Sequence, residues 1–430
     1  MKIIFHGAAK EVGKSCIELI VDNKRYIMDA GIKFIQHGIE YPKYLDKVFE
    51  LDGVFISHAH LDHSGALPML EHKQLKCPVY LTSLTWKITN LLLQDSYHLE
   101  KLKHIHPAYV ERDINKIKND LKFIKYDQEY ETKDKQIKFQ YLNSGHIPGG
   151  ASILMKIGDK TLLYTADMNM EDTFLMVPSE LDKLTNNIDI LITENTYGDR
   201  IHPERKDSID GIIESIYDCI HGGGSALVPV FGVGRSQEIL ILLNKLDSNI
   251  PIYLDGMARK VTELILNTDD KYVDNRDILE KMYKQVHIIQ NRRERDQVAK
   301  KKGVVILTTS GMIQGGPSVS YTEHFINQKD NYIIMTGYQA SGTNGRSILE
   351  DKMFYSHHNR FRVHCHIRKF DFSAHYGQDA IHKLITKINP KNLILQHGDV
   401  GAIEAVANWA KDNFKGKVFT PQIGDELEFN

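Results

Sequence analysis

The chain has 430 residues, of which 42% are hydrophobic and 26% are charged, and its formal net charge is −2. This composition is ordinary for a globular protein, and the length favours two domains over one core. A chain so close to neutrality has no global field that attracts a polyanion, so a nucleic-acid substrate would require a local basic groove. The four cysteines form no Cys-x-x-Cys pair, which argues against a thiolate zinc site or a disulfide framework and favours a reducing cytoplasm.

The N-terminal region predicts a β meander, because residues 2–5, 15–21 and 25–28 are apolar or alternating and are separated by turn residues. A strand at the start is unlike a signal peptide, and no apolar run is long enough to span a bilayer, so we expect no membrane association. The meander ends at Asp29. The spacing leaves this residue open as a turn residue or as a carboxylate that orients a metal ligand.

The next predicted strand, residues 54–56, leads into a loop that is dense in metal-ligand side chains. These are His58, His60, Asp62 and His63. Imidazoles and a carboxylate at the end of a strand are a donor set that suits zinc. A polar loop that is rich in histidine by chance is the alternative, and the close His-x-His-x-Asp-His spacing argues against it.

Further predicted strands of the first half also end in metal-ligand side chains. Between them, the charged stretch at 111–125 has a helical pattern. His146 follows a predicted strand at 137–142, Asp167 follows one at 161–165, and Glu194 follows one at 188–193. A single acid at a strand end means little. Several such ends in one half of a chain predict that they converge at one sheet edge, where a carboxylate would bridge two metal ions.

After residue 197 the pattern changes to strands that alternate with helices, which predicts a parallel α/β domain. Its turns are rich in glycine and precede helix N-termini, where phosphate groups bind readily. The alternative is that glycine only shapes tight turns. Two of the four turns carry an arginine beside the glycines, which favours phosphate contact. The candidates for a pocket that binds a phosphate are Ser310, Gly311, Gly315, Gly316 and Arg346.

The last part of the chain returns to strands that end in ligand-type residues. A single strand is predicted over residues 360–367, with a structural role for the His-Cys-His sequence inside it. His375 follows that region. A later strand at 392–395 ends shortly before His397, which repeats the strand-end arrangement of the first half.

Taken together, these motifs resemble the β-CASP branch of the metallo-β-lactamase superfamily, the RNA-processing nucleases of the cleavage and polyadenylation type and their archaeal and bacterial relatives. The resemblance extends over essentially the whole chain and includes residues 11–16. In this comparison Asp29, the loop from His58 to His63, His146 and Asp167 fall on the four lactamase motifs, and Glu194, His375 and His397 fall on the three β-CASP motifs.

The resemblance implies an α/β fold in which a β-CASP domain is inserted into an αββα metallo-β-lactamase sandwich. Residues 1–199 and 347–430 would form the two parts of the sandwich, and residues 200–346 would form the insertion. It further implies two zinc ions, one held by His58, His60 and His146 and the other by Asp62, His63 and His397, with Asp167 bridging them.

The family also implies roles in the reaction. His375, paired with Glu194, would protonate the leaving oxygen, Asp29 would orient the ligand loop, and Asp62 would serve both catalysis and metal binding. His397 points to RNA, because the DNA-repair branch carries valine at that motif. The expected substrate is single-stranded RNA, and a homodimer or an RNA-processing complex is compatible with the exposed sheet edges of an insertion.

Three hypotheses follow from the sequence. The favoured one is a zinc-dependent ribonuclease, and the sequence leaves exonuclease and endonuclease action open. The second is a small-molecule hydrolase of the same sandwich, which would not need a large glycine-rich insertion. The third is a non-catalytic scaffold subunit, which would be expected to lose ligands that are all present in this chain.

Overall fold

The structure is a computed structural model that describes residues 1–429, except 36–37, 46–47, 49, 75, 103–106, 185–186, 341 and 358. The chain divides into two compact units. The first comprises Met1–Asp172, Pro178–Ile201 and His375–Asn430, and the second comprises Thr173–Val177 and His202–Ala374. The domain boundaries drawn from the sequence stay a prediction, because compactness does not test independent folding.

The strands are named in chain order. They are β1 (Lys2–Phe5), β2 (Ile17–Val21), β3 (Lys24–Met28), β4 (Lys33–Ile35), β5 (Gly38–Glu40), β6 (Gly53–Phe55), β7 (Val79–Leu81), β8 (Leu121–Phe123), β9 (Glu129–Glu131), β10 (Ile137–Asn143), β11 (Ala151–Ile157), β12 (Lys160–Tyr164), β13 (Ile190–Glu194), β14 (Ala226–Pro229), β15 (Ile252–Asp255), β16 (His287–Ile288), β17 (Val305–Thr308), β18 (Tyr332–Met335), β19 (Met353–Ser356), β20 (Asn359–Arg362), β21 (His366–Lys369), β22 (Asn392–Gln396), β23 (Lys417–Phe419) and β24 (Glu426–Glu428).

The α-helices are named in the same way. They are α1 (Leu61–Ser64), α2 (Leu67–His72), α3 (Ser83–Leu102), α4 (Glu111–Lys116), α5 (Arg205–His221), α6 (Arg235–Leu242), α7 (Met257–Leu266), α8 (Arg276–Gln285), α9 (Arg292–Val298), α10 (Pro317–Phe325), α11 (Asn344–Asp351), α12 (Gln378–Ile388) and α13 (Val400–Asn413). Within the described ranges no helix combines the length and the apolar run that crossing a lipid bilayer requires.

Two seven-stranded sheets form the first unit, in the orders β24-β1-β2-β3-β6-β7-β8 and β23-β22-β13-β12-β11-β10-β9. Their facing sides share one hydrophobic core. Phe139 on β10 shows how this core is built, because its ring packs at 4.9 Å from those of both Phe55 and Tyr80 on the other sheet. Aromatic pairs in this edge-to-face arrangement stabilise a core beyond the area they bury.

Helices cover the outer face of each sheet. The apolar residues of α2 and α3 pack on the first sheet. On the second sheet, α12 buries Ile381, Leu384, Ile385 and Ile388, whose spacing places them on one helix face. The result is the αββα sandwich that the sequence predicts.

The second unit contains a six-stranded sheet in the order β16-β15-β17-β14-β18-β21. Its strand pairs are parallel, as expected for strands that alternate with helices. The hydrophobic residues of its strands and of α10 and α11 form a separate core.

Two predictions of secondary structure are wrong. The helix expected at 111–125 stops at Lys116, and the chain then enters β8, because Leu121–Phe123 pair with β7 at the sheet edge. The single strand expected at 360–367 is two strands. Cys365 is buried between β20 and β21, while His364 and His366 are exposed, so the His-Cys-His sequence does not lie within one strand.

Candidate metal centre

Strand direction explains why distant residues meet in the first unit. β3 and β6 run parallel, so Asp29 and His58 follow them at the same edge of one sheet. On the other sheet β12, β13 and β22 are parallel neighbours, and Asp167, Glu194 and His397 lie at or just beyond their carboxyl ends. Carboxyl ends of parallel strands meet at one edge.

One cluster combines three imidazoles with a carboxylate. Its ligand atoms lie within 4.8 Å of one another, and its members are His58, His60, His146 and Asp167. Asp167 Oδ2 is 3.5 Å from His58 Nε2 and 3.7 Å from His146 Nε2. His146 Nε2 also lies 3.2 Å from His60 Nδ1, so these nitrogens point into one small space.

A second cluster, Asp62, His63 and His397, adjoins the first. His63 Nε2 is 3.3 Å from Asp167 Oδ2, and His397 Nδ1 is 3.2 Å from Asp167 Oδ1. Asp62 Oδ2 lies 3.6 Å from His397 Nε2 and completes this cluster. Asp167 therefore lies between the two groups, with Oδ2 near ligand atoms of both and Oδ1 near His397.

The clusters pass a simple test for metal binding. Within the described residues, the buried atoms His58 Nε2, His63 Nε2 and Asp167 Oδ1 have no hydrogen-bond partner. A buried polar atom without a partner costs about 1–3 kcal/mol. Two imidazole nitrogens and a carboxylate oxygen of this kind around Asp167 are a donor set that fits divalent cations such as zinc.

Burial and charge set the protonation of the ligands. Burial lowers the pKa of His58 and His60 below the usual range, which keeps both imidazoles neutral and able to bind a metal ion. Burial acts in the same direction on His63, but Asp167 and Asp29 outweigh it and raise its pKa. Conversely, burial would raise the pKa of Asp167, and the histidines His397 and His63 hold it well below its usual range.

Asp29 is fully buried, and three of its four side-chain hydrogen bonds hold the ligand loop. Its Oδ1 accepts from the backbone N–H of Ser57 at 2.8 Å. Its Oδ2 accepts from the Ser57 hydroxyl at 2.8 Å, the Tyr164 hydroxyl at 2.7 Å and His63 Nδ1 at 2.7 Å. By accepting a hydrogen bond from Nδ1–H, the carboxylate fixes the tautomer in which His63 Nε2 faces the cluster.

A third cluster pairs an imidazole with a carboxylate beside Asp167. His375 Nδ1 lies 2.9 Å and 3.1 Å from the two oxygens of Glu194, and 4.0 Å from Asp167 Oδ2. Glu194 is fully buried and is fixed by the backbone N–H groups of Met168 and Thr196. Burial would lower the pKa of His375, but the carboxylates of Glu194 and Asp167 raise it to about 9.

The backbone at the cluster adopts unusual conformations. Asp29 has a φ of 57° and His397 a φ of 50°, in the left-handed region that non-glycine residues rarely adopt. Such residues concentrate at functional sites, where the surroundings hold them in place. For His397 the backbone N–H donates to Ala8 O at 2.7 Å, and the Gly13 N–H donates to its Nε2 at 3.4 Å.

The glycine-rich turns of the second unit contact each other. The Gly345 N–H donates to Met312 O at 2.9 Å, so the turn that carries Arg346 packs on the turn that begins at Ser310. The Ser310 hydroxyl donates to Gly315 O at 3.2 Å, and Arg346 Nη2 lies 2.5 Å from Glu350 Oε1. Gly311 follows Ser310, and Gly316 precedes α10.

Sequence reasoning missed some of the residues that build this site. The sequence analysis assigns no role to Ser57, Tyr164 or Thr196, which hold Asp29 and Glu194 in place. Tyr164 carries a weak signal in the sequence, since it ends a strand three residues before Asp167, but nothing in the spacing links it to Asp29, which lies 135 residues earlier.

Three protein-family models and several known proteins match this chain. Residues 19–196 match a metallo-beta-lactamase superfamily domain, residues 236–348 a Beta-Casp domain, and residues 360–421 a Zn-dependent metallo-hydrolase RNA specificity domain. The chain is 39% identical to the probable RNase MJ4 of Methanocaldococcus jannaschii, over 99% of this chain and 100% of that protein. The chain belongs to the β-CASP branch of the metallo-β-lactamase superfamily.

A further relative of this β-CASP protein and a solved structure extend the comparison. It is 31% identical to RNase aCSPSF2 of Saccharolobus solfataricus, over 98% of this chain and 84% of that protein. A crystal structure of a protein of unknown function from Enterococcus faecalis V583 covers 99% of both chains with a TM-score of 0.63 and 15% identity. At that identity the likeness concerns the fold alone.

Proposed function

We propose that this chain is a metal-dependent ribonuclease that hydrolyses RNA phosphodiester bonds at the clusters around Asp167. The observation that carries the proposal is the convergence of imidazoles and carboxylates around Asp167, with an imidazole–carboxylate pair beside them. Among the described residues, the buried atoms His58 Nε2, His63 Nε2 and Asp167 Oδ1 lack a hydrogen-bond partner there. A small-molecule hydrolase could use the same clusters. The match to an RNA specificity domain and the RNase names of the relatives favour RNA as the substrate.

The cofactor that we propose is a pair of zinc ions. His58, His60 and His146 would hold one ion, Asp62, His63 and His397 would hold the other, and Asp167 would contact both. Two metal ions, when bound, supply an activated water and neutralise the charge that develops on the phosphoryl group. The protein's own part is to fix the ligands, which the carboxylate of Asp29 does through Ser57 and His63.

His375 is the residue that we propose as the proton donor to the leaving oxygen. Its pKa of about 9 keeps the imidazole protonated at neutral pH, and the carboxylate of Glu194 fixes its orientation through Nδ1. Because Nδ1 faces Glu194, Nε2 is the nitrogen that would donate the proton. General acid catalysis of this kind contributes about 10²–10⁴ to a rate.

The finer substrate proposal is single-stranded RNA, with a 5′-phosphate bound by Ser310, Gly311, Gly315, Gly316 and Arg346. The test is Arg346→Ala, with Lys284→Ala as the control, because Lys284 also pairs with a glutamate four residues away. We expect Arg346→Ala alone to reduce the preference for 5′-phosphate over 5′-hydroxyl RNA. If both variants prefer 5′-phosphate over 5′-hydroxyl RNA to the same degree, the proposed phosphate pocket is refuted. Assembly into a homodimer or a larger complex is a further proposal, to be tested by the mass of the particle in solution.

The experiment for the proposed activity uses single-stranded RNA labelled at its 3′ end. Wild-type chain, chelated and then supplied with zinc, should cleave the RNA, and Asp167→Asn should not. Asp159→Asn, at an exposed hairpin turn, is the matched control and should retain activity. Shortening by single nucleotides would indicate an exonuclease, and internal fragments an endonuclease. Equal cleavage by wild type and Asp167→Asn would refute the proposal.

A further inference from the structure

A segment of the second unit carries basic charge that no acidic residue balances. Residues 352–369 contain five lysines and arginines and no aspartate or glutamate, in a chain whose formal charge is −2. These residues are Lys352, Arg360, Arg362, Arg368 and Lys369. Among the residues that the structure describes, none of the five forms an ion pair with a carboxylate. Glu323, an acid that contacts this segment, binds Ser356 and His357.

The hairpin β19–β20 arranges two of these arginines around an aromatic ring. Tyr355 pairs directly with Arg360, and Met353 pairs with Arg362. Side chains of paired residues lie on the same face, and so do residues two positions apart along a strand. Tyr355, Arg360 and Arg362 therefore share one face of the hairpin.

That face is exposed to solvent, whereas the opposite face anchors the hairpin. Tyr355 is 48% exposed, and every residue of β20 is exposed. Phe354 is fully buried in the core of the second unit, together with Val363 just beyond the hairpin. The anchor holds the exposed face in a fixed geometry, which lowers the entropic cost of binding a ligand there.

The strand after the hairpin continues the same chemistry. β21 is the edge strand of its sheet. Its Arg368 guanidinium lies 5.3 Å from the ring centroid of Tyr332, and the His366 ring lies 4.5 Å from the same tyrosine. A cation on β21 thus lies beside an aromatic ring of its neighbour β18.

We propose that the face formed by Tyr355, Arg360 and Arg362, here called the basic hairpin surface, binds single-stranded RNA outside the metal clusters. Arginine contacts phosphate groups with several donors in a fixed plane. An exposed tyrosine stacks on a base, which requires that the base be unpaired. The proposal deepens the proposed ribonuclease function and rests on it for the identity of the ligand, because an acidic protein would offer charge but no base for Tyr355.

The experiment measures binding of a fluorescent oligouridine to the full chain by anisotropy at several salt concentrations, in an Asp167→Asn background that prevents cleavage. The logarithm of affinity falls with the logarithm of salt by about 0.7 per phosphate contact of a single strand. Replacing Arg360 and Arg362 together with alanine should therefore lower this slope by about 1.4. Tyr355→Ala should weaken binding roughly tenfold and leave the slope unchanged, because stacking is not ionic.

Two further variants separate the surface from general charge and from misfolding. Replacing Arg292 and Arg293 with alanine removes two exposed arginines of α9 in the same unit and should change neither affinity nor slope. Replacing Arg360 and Arg362 with lysine should keep most of the slope. An equal drop of the slope in the α9 variant, or no drop in the hairpin variant, would overturn the proposal.

Competition with polyglutamate distinguishes the alternative partner. Displacement of RNA by polyglutamate at equal charge concentration would assign the surface to an acidic protein and overturn the proposal. The outcomes are also separable from those of the proposed function. If the wild-type chain cleaves RNA but the hairpin variant binds RNA normally, only the proposal for the basic hairpin surface is refuted. If binding depends on the hairpin but the wild-type chain does not cleave RNA, only the proposed ribonuclease activity is refuted.

Discussion

Replacing Asp29 with asparagine is predicted to weaken metal binding through a residue that does not itself face the ions. Asp29 accepts four hydrogen bonds, three of them at Oδ2. An asparagine side chain keeps one accepting oxygen. Its least costly orientation places that oxygen at the Oδ2 position, and its amide group then faces the N–H of Ser57.

The magnitude follows from this loss. One buried donor without an acceptor lowers the free energy of unfolding by about 1–3 kcal/mol. The loss of the negative charge also weakens the hold on the Nδ1 proton of His63, which fixes the tautomer that presents Nε2. Mutation of a group that orients a metal ligand in this way typically costs about 10–100-fold in metal affinity.

The assay is a titration of metal-free protein with zinc against a chromogenic chelator, together with urea unfolding of the metal-free chain. Asp113→Asn is the matched control. Asp113 is also a buried aspartate that accepts from a backbone N–H, that of Val110, and from a histidine, His72. We expect both variants to lose stability and only Asp29→Asn to lose zinc affinity. Wild-type affinity in Asp29→Asn, or equal losses of affinity in both, would refute the reasoning.

Three further predictions concern the acid, the ligand loop and the second unit. His375→Gln should lower the single-turnover cleavage rate by about 10²–10⁴ with an unchanged metal content, and a parallel loss of metal would contradict its assignment as proton donor. Gly31→Ala places a Cβ 1.6 Å from the Asp62 carbonyl oxygen, so the ligand loop must move. Zinc affinity should therefore fall about tenfold or more. A zinc titration unchanged from that of the wild type would contradict this prediction. Glu238→Gln should cost about 3–5 kcal/mol in urea unfolding at pH 7, because it leaves two arginines without their buried carboxylate. Burial would raise the pKa of Glu238, but the two arginines outweigh burial and lower it in the folded state. The stabilisation by Glu238 is therefore complete above the unfolded pKa of about 4.3 and is lost as the pH falls through the folded pKa. Glu238→Gln should lack this loss of stability in acid, and a pH profile identical to that of the wild type would contradict the prediction.

The sequence carries much of the site because strand ends are visible in it. Apolar runs that stop at His58, His146, Asp167 and Glu194 predict that these residues meet at a sheet edge, and the structure brings them together there. The same reasoning identified the parallel sheet of the second unit. In each case the decisive information is local, since a strand of three to seven residues ends where its apolar run ends.

The remaining features depend on contacts between distant residues. The bonds from Tyr164 and Ser57 to Asp29 join three separate strands, and no spacing along the chain encodes them. The left-handed backbone of His397 is set by Ala8, far away in the sequence. The predicted strand is broken near Cys365 because the residues before it, in β20, and those after it, in β21, belong to two different sheets. Local propensity does not reveal this difference.

The most direct test of the whole account is to follow RNA cleavage while metal-free wild-type chain is titrated with zinc. The cleavage rate should rise with added zinc and saturate only at two bound ions per chain, because both groups of ligands share Asp167 and the reaction needs both ions. Cleavage that saturates at one ion, or that proceeds without any metal, would contradict the two-metal centre around Asp167.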